Sequence, residues 1–263
     1  MKEVAKRFQN RVALITGGAS GIGKVTAQFF AREGAKVIVA TDLNIKGGEE
    51  TVHLIKEAGG EATFIKCDVS KAVEVEAMID RCVRTYGRLD YAFNNAGIGP
   101  DDKRVPVVNI VDCPEEIWDR IIDINLKGVW LCMKYEIQQM LKQNYGVIVN
   151  TSSVGALKPV PGFGAYVASK SGIVGLTKTA ALECATLGIR VNAILPGPTR
   201  RTLLHEYLTS ARPEEKERML DNIPMKRLAE PEDMAEAVMW LCSDAAAFVT
   251  GLIMPIDGGM TSQ

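Results

Sequence analysis

The chain predicts an α/β fold: a single doubly wound domain over residues 1–263, with a parallel sheet of about seven strands and helices on both faces. Three observations predict it. Short apolar runs alternate with segments of helical period from end to end. Those runs are apolar at nearly every position, which suits strands buried on both faces and joined by crossover helices. No linker, low-complexity tract or internal repeat divides the 263 residues, of which 47% are hydrophobic and 24% charged.

The elements follow in order. Val12–Ile15 is the first strand, and apolar Ile22, Val25, Phe29 and Phe30 set the helical period of the next segment, which Gly34 stops. Val37–Ala40 is the second strand. A helix over Ile45–Ala58 ends at Gly59-Gly60. Thr63–Ile65 is a strand, Val73–Tyr86 a helix and Leu89–Phe93 the fourth strand. A long helix spans Glu115–Gln143, then come strand Val147–Asn150, helix Gly164–Leu187 and strand Arg190–Leu195. After a polar, partly helical stretch, helix Pro231–Cys242 and strand Leu252–Ile256 close the chain.

Composition excludes several function classes. The formal net charge is −1 and the basic residues are scattered, so no nucleic-acid or polybasic membrane surface is expected. No apolar run approaches the roughly 20 residues of a membrane helix, and the first eight residues lack a signal peptide's apolar stretch. Six dispersed cysteines without a C-x-x-C read as reduced thiols, mostly in the core, of a cytoplasmic protein. With only His53 and His205, neither a zinc site nor a histidine triad is expected.

The first strand runs into Thr16-Gly17-Gly18-Ala19-Ser20-Gly21-Ile22-Gly23, where the first helix opens. Glycines let this turn approach a pyrophosphate, and the helix N-terminus offers N–H donors. Strand, turn and helix together predict a nucleotide-binding unit of Rossmann type, although the spacing is G-x-x-x-G-x-G. Asp42, ending the second strand, is placed for adenosine ribose hydroxyls and disfavours a 2′-phosphate, which points to NAD over NADP. Asp68 is placed for the adenine amino group with Val69 packing beside it; small residues in Asn95-Ala96-Gly97 let the chain pass close to the cofactor, and Asn95 can tie strand ends together.

Tyr166 and Lys170 are four residues apart on a predicted helix, hence on one face, and Ser153 follows the fifth strand. A phenol titrates near about 10, and a neighbouring positive charge favours its ionised form. The trio suits moving a proton on or off an alcohol oxygen while hydride moves elsewhere.

Taken together, Thr16-Gly17-x-x-x-Gly21-x-Gly23, Asn94-Asn95-Ala96-Gly97, Asn125, Ser153, Tyr166-x-x-x-Lys170, Pro196-Gly197 and Asp257-Gly258-Gly259 resemble the short-chain dehydrogenase/reductase family over essentially the whole chain. The resemblance implies that Tyr166 is the acid/base, that Lys170 lowers its pKa and binds the nicotinamide ribose, that Ser153 orients the substrate oxygen and that Asn125 holds a water linking Lys170 to solvent. It also implies a homotetramer built through the two long helices. Two positions depart from the family's pattern. The usual NAD-selecting acid falls at Thr41, one residue before Asp42. The threonine expected to bond the nicotinamide amide falls at Arg201, which leaves Thr199 and Thr202 as its candidates. Arg200 and Arg201 are alternatively contacts for substrate or phosphate, or solvated loop charges.

The resulting expectation is an NAD-dependent oxidoreductase interconverting a secondary alcohol, cyclic or hydrophobic, and its ketone. Segments 98–108, 154–163 and 201–222 are expected to wall the pocket. Leu203, Leu204, Tyr207 and Leu208 fall at helical spacing in a candidate lid over about residues 200–222. A glucose-type sugar dehydrogenase, an NADPH-dependent 3-oxoacyl-carrier-protein reductase and a non-catalytic nucleotide sensor are the alternatives.

Overall fold

The computed structural model describes residues 6–41, 44–101, 105–202 and 218–263. Its centre is a sheet of seven parallel strands: β1 (Val12–Thr16), β2 (Lys36–Thr41), β3 (Glu61–Lys66), β4 (Tyr91–Asn94), β5 (Gly146–Thr151), β6 (Ile189–Pro196) and β7 (Ile253–Ile256). The spatial order is β3-β2-β1-β4-β5-β6-β7. Every pairing is parallel, with Ala13 opposite Val37 on one side of β1 and Tyr91 on the other. The order reverses between β1 and β4, and in such sheets the crevice beyond the carboxyl ends of those two strands is where ligands bind.

Alternation along each strand separates two cores. Leu14, Ile38, Ala92 and Ile148 face one side, with α3 (Ala72–Tyr86), α5 (Gly128–Leu141) and α6 (Gly164–Cys184) supplying Met78, Cys132 and Ile173. Ala13, Val37, Phe93 and Val149 face the other, under α1 (Gly21–Arg32), α2 (Ile45–Glu57) and α7 (Pro231–Cys242), with Phe30, Ile55 and Val238. The helices end where local chemistry stops them. Gly87 takes a left-handed φ of 79° after α3, a conformation that costs glycine little. Pro231 opens α7, and Asp233 Oδ2 accepts from Glu230 N at 2.8 Å.

The long helix expected from Glu115 to Gln143 is one rod in three parts. α4 (Glu115–Ile121) passes into a widened π-helical stretch, Ile122–Lys127, and then into α5. Helices widen this way mostly at functional positions, and Asn125 lies inside the stretch. Five of the six cysteines are buried and Cys113 is partly exposed; all are free thiols. Among the described residues no helix is long and apolar enough to cross a membrane, and no group of metal-ligating side chains forms.

Candidate active site

β1 delivers Thr16 to the switch point, and the next turn is built around close approach. Gly17 has φ +67°, and a Cβ there would lie 2.9 Å from Ala96 Cα; a Cβ on Gly23 would lie 2.3 Å from Gly17 O. A side chain at Gly23 therefore collides with fixed backbone. α1 begins at Gly21 with no acidic residue in its first turn and no side-chain cap from Ser20. Its first N–H groups are thus available to an anion. Across the crevice, Thr16 Oγ1 accepts from Asn95 N and Ala96 N, both at 3.1 Å, and Asn95 Nδ2 donates to Thr16 O at 3.3 Å. Asn95 does join the two strand ends.

The crevice continues as a cleft of about 600 Å³. One end is walled by Gly17, Ala19, Ser20, Gly21 and Ile22, with Ala40, Asn44, Asp68 and Val69 beside them. Asp68 Oδ1 accepts from Ser70 N at 2.9 Å and Ser70 Oγ at 2.7 Å, which fixes its carboxylate at the rim. Val69 is buried against Gly128. Asp42 lies outside the described residues. The cleft fits a dinucleotide: it offers a glycine cradle and an uncapped helix start, with a fixed carboxylate further along.

Its other end holds the candidate catalytic side chains. Ser153, Tyr166 and Lys170 all line it, with Ala96 and Gly97 from the end of β4. The Ser153 hydroxyl hydrogen-bonds the Tyr166 phenol and accepts from Gly155 N at 3.1 Å. Lys170 is 4% exposed; its Nζ donates to Thr151 O at 2.9 Å and stands 5.8 Å from the Tyr166 ring centroid. Ser152 Oγ, donating to Lys170 O at 2.8 Å, secures the helix here.

Electrostatics revise one expectation. Burial holds Lys170 down to about 8. Burial also raises Tyr166, while the Ser153 hydrogen bond opposes the rise. The Tyr–Lys spacing leads one to expect a lowered phenol. Instead, burial is the larger effect on the phenol and the Ser153 hydrogen bond the smaller, opposing one. The phenol stays protonated at neutral pH.

Asn125 is fully buried and stands behind the cleft wall. Its Oδ1 accepts from Ile98 N and its Nδ2 donates to Ile98 O, both at 2.8 Å; Nδ2 also reaches Ser169 Oγ at 3.2 Å. Ser169 Oγ in turn donates to Tyr166 O at 2.7 Å. A Cβ on Gly97 would meet Asn125 Oδ1 at 3.1 Å and Lys170 Nζ at 3.5 Å, so these groups crowd one point.

Pro196, Gly197, Thr199, Arg201 and Thr202 close the cleft beyond β6. Thr199 Oγ1 donates to Gly197 O at 2.8 Å and Thr202 Oγ1 to Thr199 O at 2.7 Å, so both hydroxyl protons serve the loop. The loop's arginines are paired: Arg200 with Glu230 at 3.3 Å, and Arg201 with Glu230 and Glu232. Arg201 lines the cleft and Arg200 does not. Leu203, Leu204, Tyr207 and Leu208 lie outside the described residues, as does 102–104 of the expected wall.

Sequence reasoning missed a buried polar chain under the site. Asn94 Nδ2 donates to Glu136 Oε2 at 2.9 Å and to Asn150 Oδ1 at 3.1 Å, and Asn150 Nδ2 reaches Thr177 Oγ1 at 3.0 Å. Burial pushes Glu136 up to about 8. A signal existed: Glu136 sits between Cys132 and Met140 at i±4, on an apolar helix face where an acid is out of place.

Known proteins resemble this chain over nearly its whole length. The family described as enoyl-(acyl carrier protein) reductase matches residues 17–261. An uncharacterized oxidoreductase of Thermotoga maritima is 45% identical, covering 97% of this chain and 99% of its own. Cyclohexanol dehydrogenase of an Acinetobacter species is 39% identical over 100% of this chain and 99% of that protein. A 3-oxoacyl-[acyl-carrier-protein] reductase of Thermotoga maritima is also 39% identical, covering 97% of this chain and 99% of that one. Among solved structures, NAD⁺-bound xylitol dehydrogenase superposes with a TM-score of 0.90 at 34% identity, covering 97% of this chain and 100% of that chain.

Proposed function

Because the chain belongs to the short-chain dehydrogenase/reductase family, we propose that it is an NAD-dependent oxidoreductase interconverting a secondary alcohol, cyclic or hydrophobic, and its ketone. One observation carries the reading: Ser153, hydrogen-bonded to Tyr166, shares a cleft with buried Lys170 and with the glycine cradle at the β1–β4 switch point. Proton control and nucleotide binding thereby meet in one cavity.

A bound nicotinamide supplies hydride exchange and, when oxidised, a positive charge. The chain's own residues do the rest. Gly17, Ser20, Gly21, Ile22 and Gly23 receive the pyrophosphate; Asp68 and Val69 flank the adenine; Asn95, Ala96, Gly97, Pro196 and Gly197 with Thr199 and Thr202 shape the nicotinamide end. Lys170 binds the nicotinamide ribose. Asn125 is a positioning residue, bolting Ile98 to Ser169 and through it to the turn that carries Tyr166; the water-holding role belongs to this reading too. In reduction Tyr166 gives its proton to the forming alkoxide, and Ser153 holds that oxygen. In oxidation the ionised phenol takes the hydroxyl proton. Since burial raises the phenol, oxidation accelerates as pH rises, while reduction is favoured at neutral pH, where Tyr166 keeps its proton.

NAD is favoured by Asp42 and by the lack of any basic residue from 41 to 44. An apolar substrate is favoured by Val154, Val160 and Phe163 in the wall and by the similarity to a cyclohexanol dehydrogenase. The exposed Trp130 and Leu141 on α5 and Leu182 on α6 support the homotetramer, which sedimentation tests. The free thiols support a reducing, cytoplasmic setting, and residues 200–222 are the lid of this reading. Titration with NADH and NADPH, followed by nicotinamide fluorescence, tests the cofactor; turnover of cyclohexanol against a 3-oxoacyl thioester tests the substrate. Tighter NADPH binding with thioester reduction replaces this reading with the acyl-carrier one.

A further inference from the structure

Two buried acceptors beneath the cleft lack a donor, and they belong to one pair of side chains. Asn94 Nδ2 donates to Glu136 Oε2 at 2.9 Å, which leaves over Asn94 Oδ1 and Glu136 Oε1. Neither has a hydrogen-bond partner among the described residues, and the two side chains are fully buried. A buried acceptor without a donor is costly, and a buried carboxylate with a single donor is costlier. One proton on Glu136 removes both costs. It turns the carboxylate into a neutral acid with an O–H donor, and Asn94 Oδ1 is the acceptor left for it. Amide and acid are then joined by two hydrogen bonds in place of one. No neighbouring charge competes for that proton. α3 presents the Cys82 thiol, and α5 adds Cys132 with Cys67 against it; all three are buried. β4, β5 and α6 present Asn94, Asn150 and Thr177, none of which titrates. Burial is the main influence on the acid and raises it to about 8, in keeping with a bound proton.

The pair is tied to both ends of the cleft. Asn94 immediately precedes Asn95, whose Nδ2 donates to Thr16 O at 3.3 Å and Gly17 O at 3.5 Å in the glycine turn. Asn94 Nδ2 also donates to Asn150 Oδ1, and the residue after Asn150 is Thr151, whose carbonyl receives Lys170 Nζ at 2.9 Å. Asn150 Nδ2 continues to Thr177 Oγ1 on α6, the helix that carries Tyr166 and Lys170. Each middle member of the chain thus stands next to a residue that holds one end of the cleft.

We propose that Glu136 is a positioning residue: as the neutral acid it locks Asn94, and through Asn94 the glycine turn and Lys170, whereas loss of its proton loosens both. Ionisation sets a charged oxygen against Asn94 Oδ1 with no donor between them, so the second hydrogen bond is lost and the two oxygens repel. The effect on cofactor affinity rests on the reading of the cleft as a nicotinamide dinucleotide site; the proton itself is tested without a cofactor.

NADH is the probe, titrated into the full-length protein from about pH 6 to about pH 10, with thermal midpoints showing that each variant is folded. At the acid end Glu136→Leu should bind NADH about 2- to 30-fold more weakly than the parent. Glu136→Gln, whose amide donates to Asn94 Oδ1, should recover most of that loss. Lys170 also titrates near 8, so the diagnostic quantity is the difference between the parent and Glu136→Gln. With rising pH the parent should lose affinity relative to Glu136→Gln, by at most about tenfold per pH unit. Without cofactor, the infrared difference between these two proteins at the acid end should carry the carbonyl stretch of a protonated carboxylic acid. Absence of that band overturns the proposal. So does a pH dependence of NADH affinity identical in the two proteins, or a Glu136→Gln no better than Glu136→Leu. A parent that binds neither NADH nor NADPH at any pH overturns the dinucleotide reading and the positioning role together, whereas the other failures leave the dinucleotide reading standing.

Discussion

At the amino ends of the strands Asp90 is fully buried, yet its carboxylate is surrounded by donors: Arg11 Nη1 at 2.9 Å, Val12 N at 2.9 Å, and Arg88 Nε and Nη2 at 2.8 and 2.6 Å. At the carboxyl ends Lys170 is equally buried, and among the described residues no carboxylate pairs with it; it has the Thr151 carbonyl and a neighbouring phenol. One end neutralises its buried charge completely. The other leaves a buried base and a buried acid that desolvation moves apart, Lys170 down to about 8 and Tyr166 above its ordinary value. A compensated charge fastens elements together; an uncompensated one keeps its proton exchangeable, which is what acid/base work needs. Asp90 thus fastens elements together, whereas the proposed function gives Lys170 to the chemistry.

The contrast breaks most decisively at Tyr166. Tyr166→Phe should lower turnover by about 10²–10⁴-fold while NADH binding and thermal midpoint stay near the parent's. Retained turnover would remove Tyr166 from proton transfer and with it the functional reading. The opposite profile belongs to Asp90→Ala, which strands Arg11 and Arg88 beside an emptied site. A loss of about 3 kcal/mol in denaturant unfolding, with specific activity of the folded fraction preserved, is expected. An activity loss without destabilisation would mean that the two ends of the sheet are not separable.

Glu136 sharpens the comparison, because it is a buried acid without Asp90's partners. Its Oε1 and Asn94 Oδ1 have no hydrogen-bond partner among the described residues. Burial raises the folded-state pKa from 4.5 to about 8. Between those values the folded state holds a proton that the unfolded state has lost, so stability falls as pH rises, by at most about 1.4 kcal/mol per pH unit. Glu136→Gln should remove this slope, leaving the variant ahead at pH 8 and the gap narrowing towards pH 4.5. Parallel stability curves for the two proteins would show that Glu136 is ionised in the fold.

What was legible in the sequence follows the same division. The strands were legible because Val, Ile and Ala fill them wherever helices cover both faces; β3 runs past Thr63–Ile65 to Glu61 and Lys66 because only its middle is covered at the sheet edge. Gly17, Gly21 and Gly23 were legible because backbone crowding admits nothing larger there. The widened stretch Ile122–Lys127 was not, since the wider turn keeps an apolar pattern that a regular helix also satisfies. Nor was the direction of the Tyr166 shift: residue spacing reports which groups meet, whereas desolvation depends on everything packed around them.

Arg200 and Arg201 supply the mildest test. As bare sequence they and Lys158 leave open a basic patch at the pocket mouth, which an acidic acyl carrier could use. In the fold Glu230 and Glu232 neutralise them on the surface. Both arginines are more than half exposed, at 54% and 55% of the side chain, and such pairs stabilise little. Arg201→Ala should therefore change unfolding free energy by under about 1 kcal/mol and leave KM for a small cyclic alcohol nearly unchanged. A carrier-protein substrate behaves differently, because steering by surface charge acts on association and weakens with salt. If KM for a carrier-borne 3-oxoacyl group rises steeply in Arg201→Ala, and the rise disappears at high ionic strength, the arginines are a docking patch and Glu230 and Glu232 are its resting partners. If neither substrate responds, Arg201 serves the loop it closes.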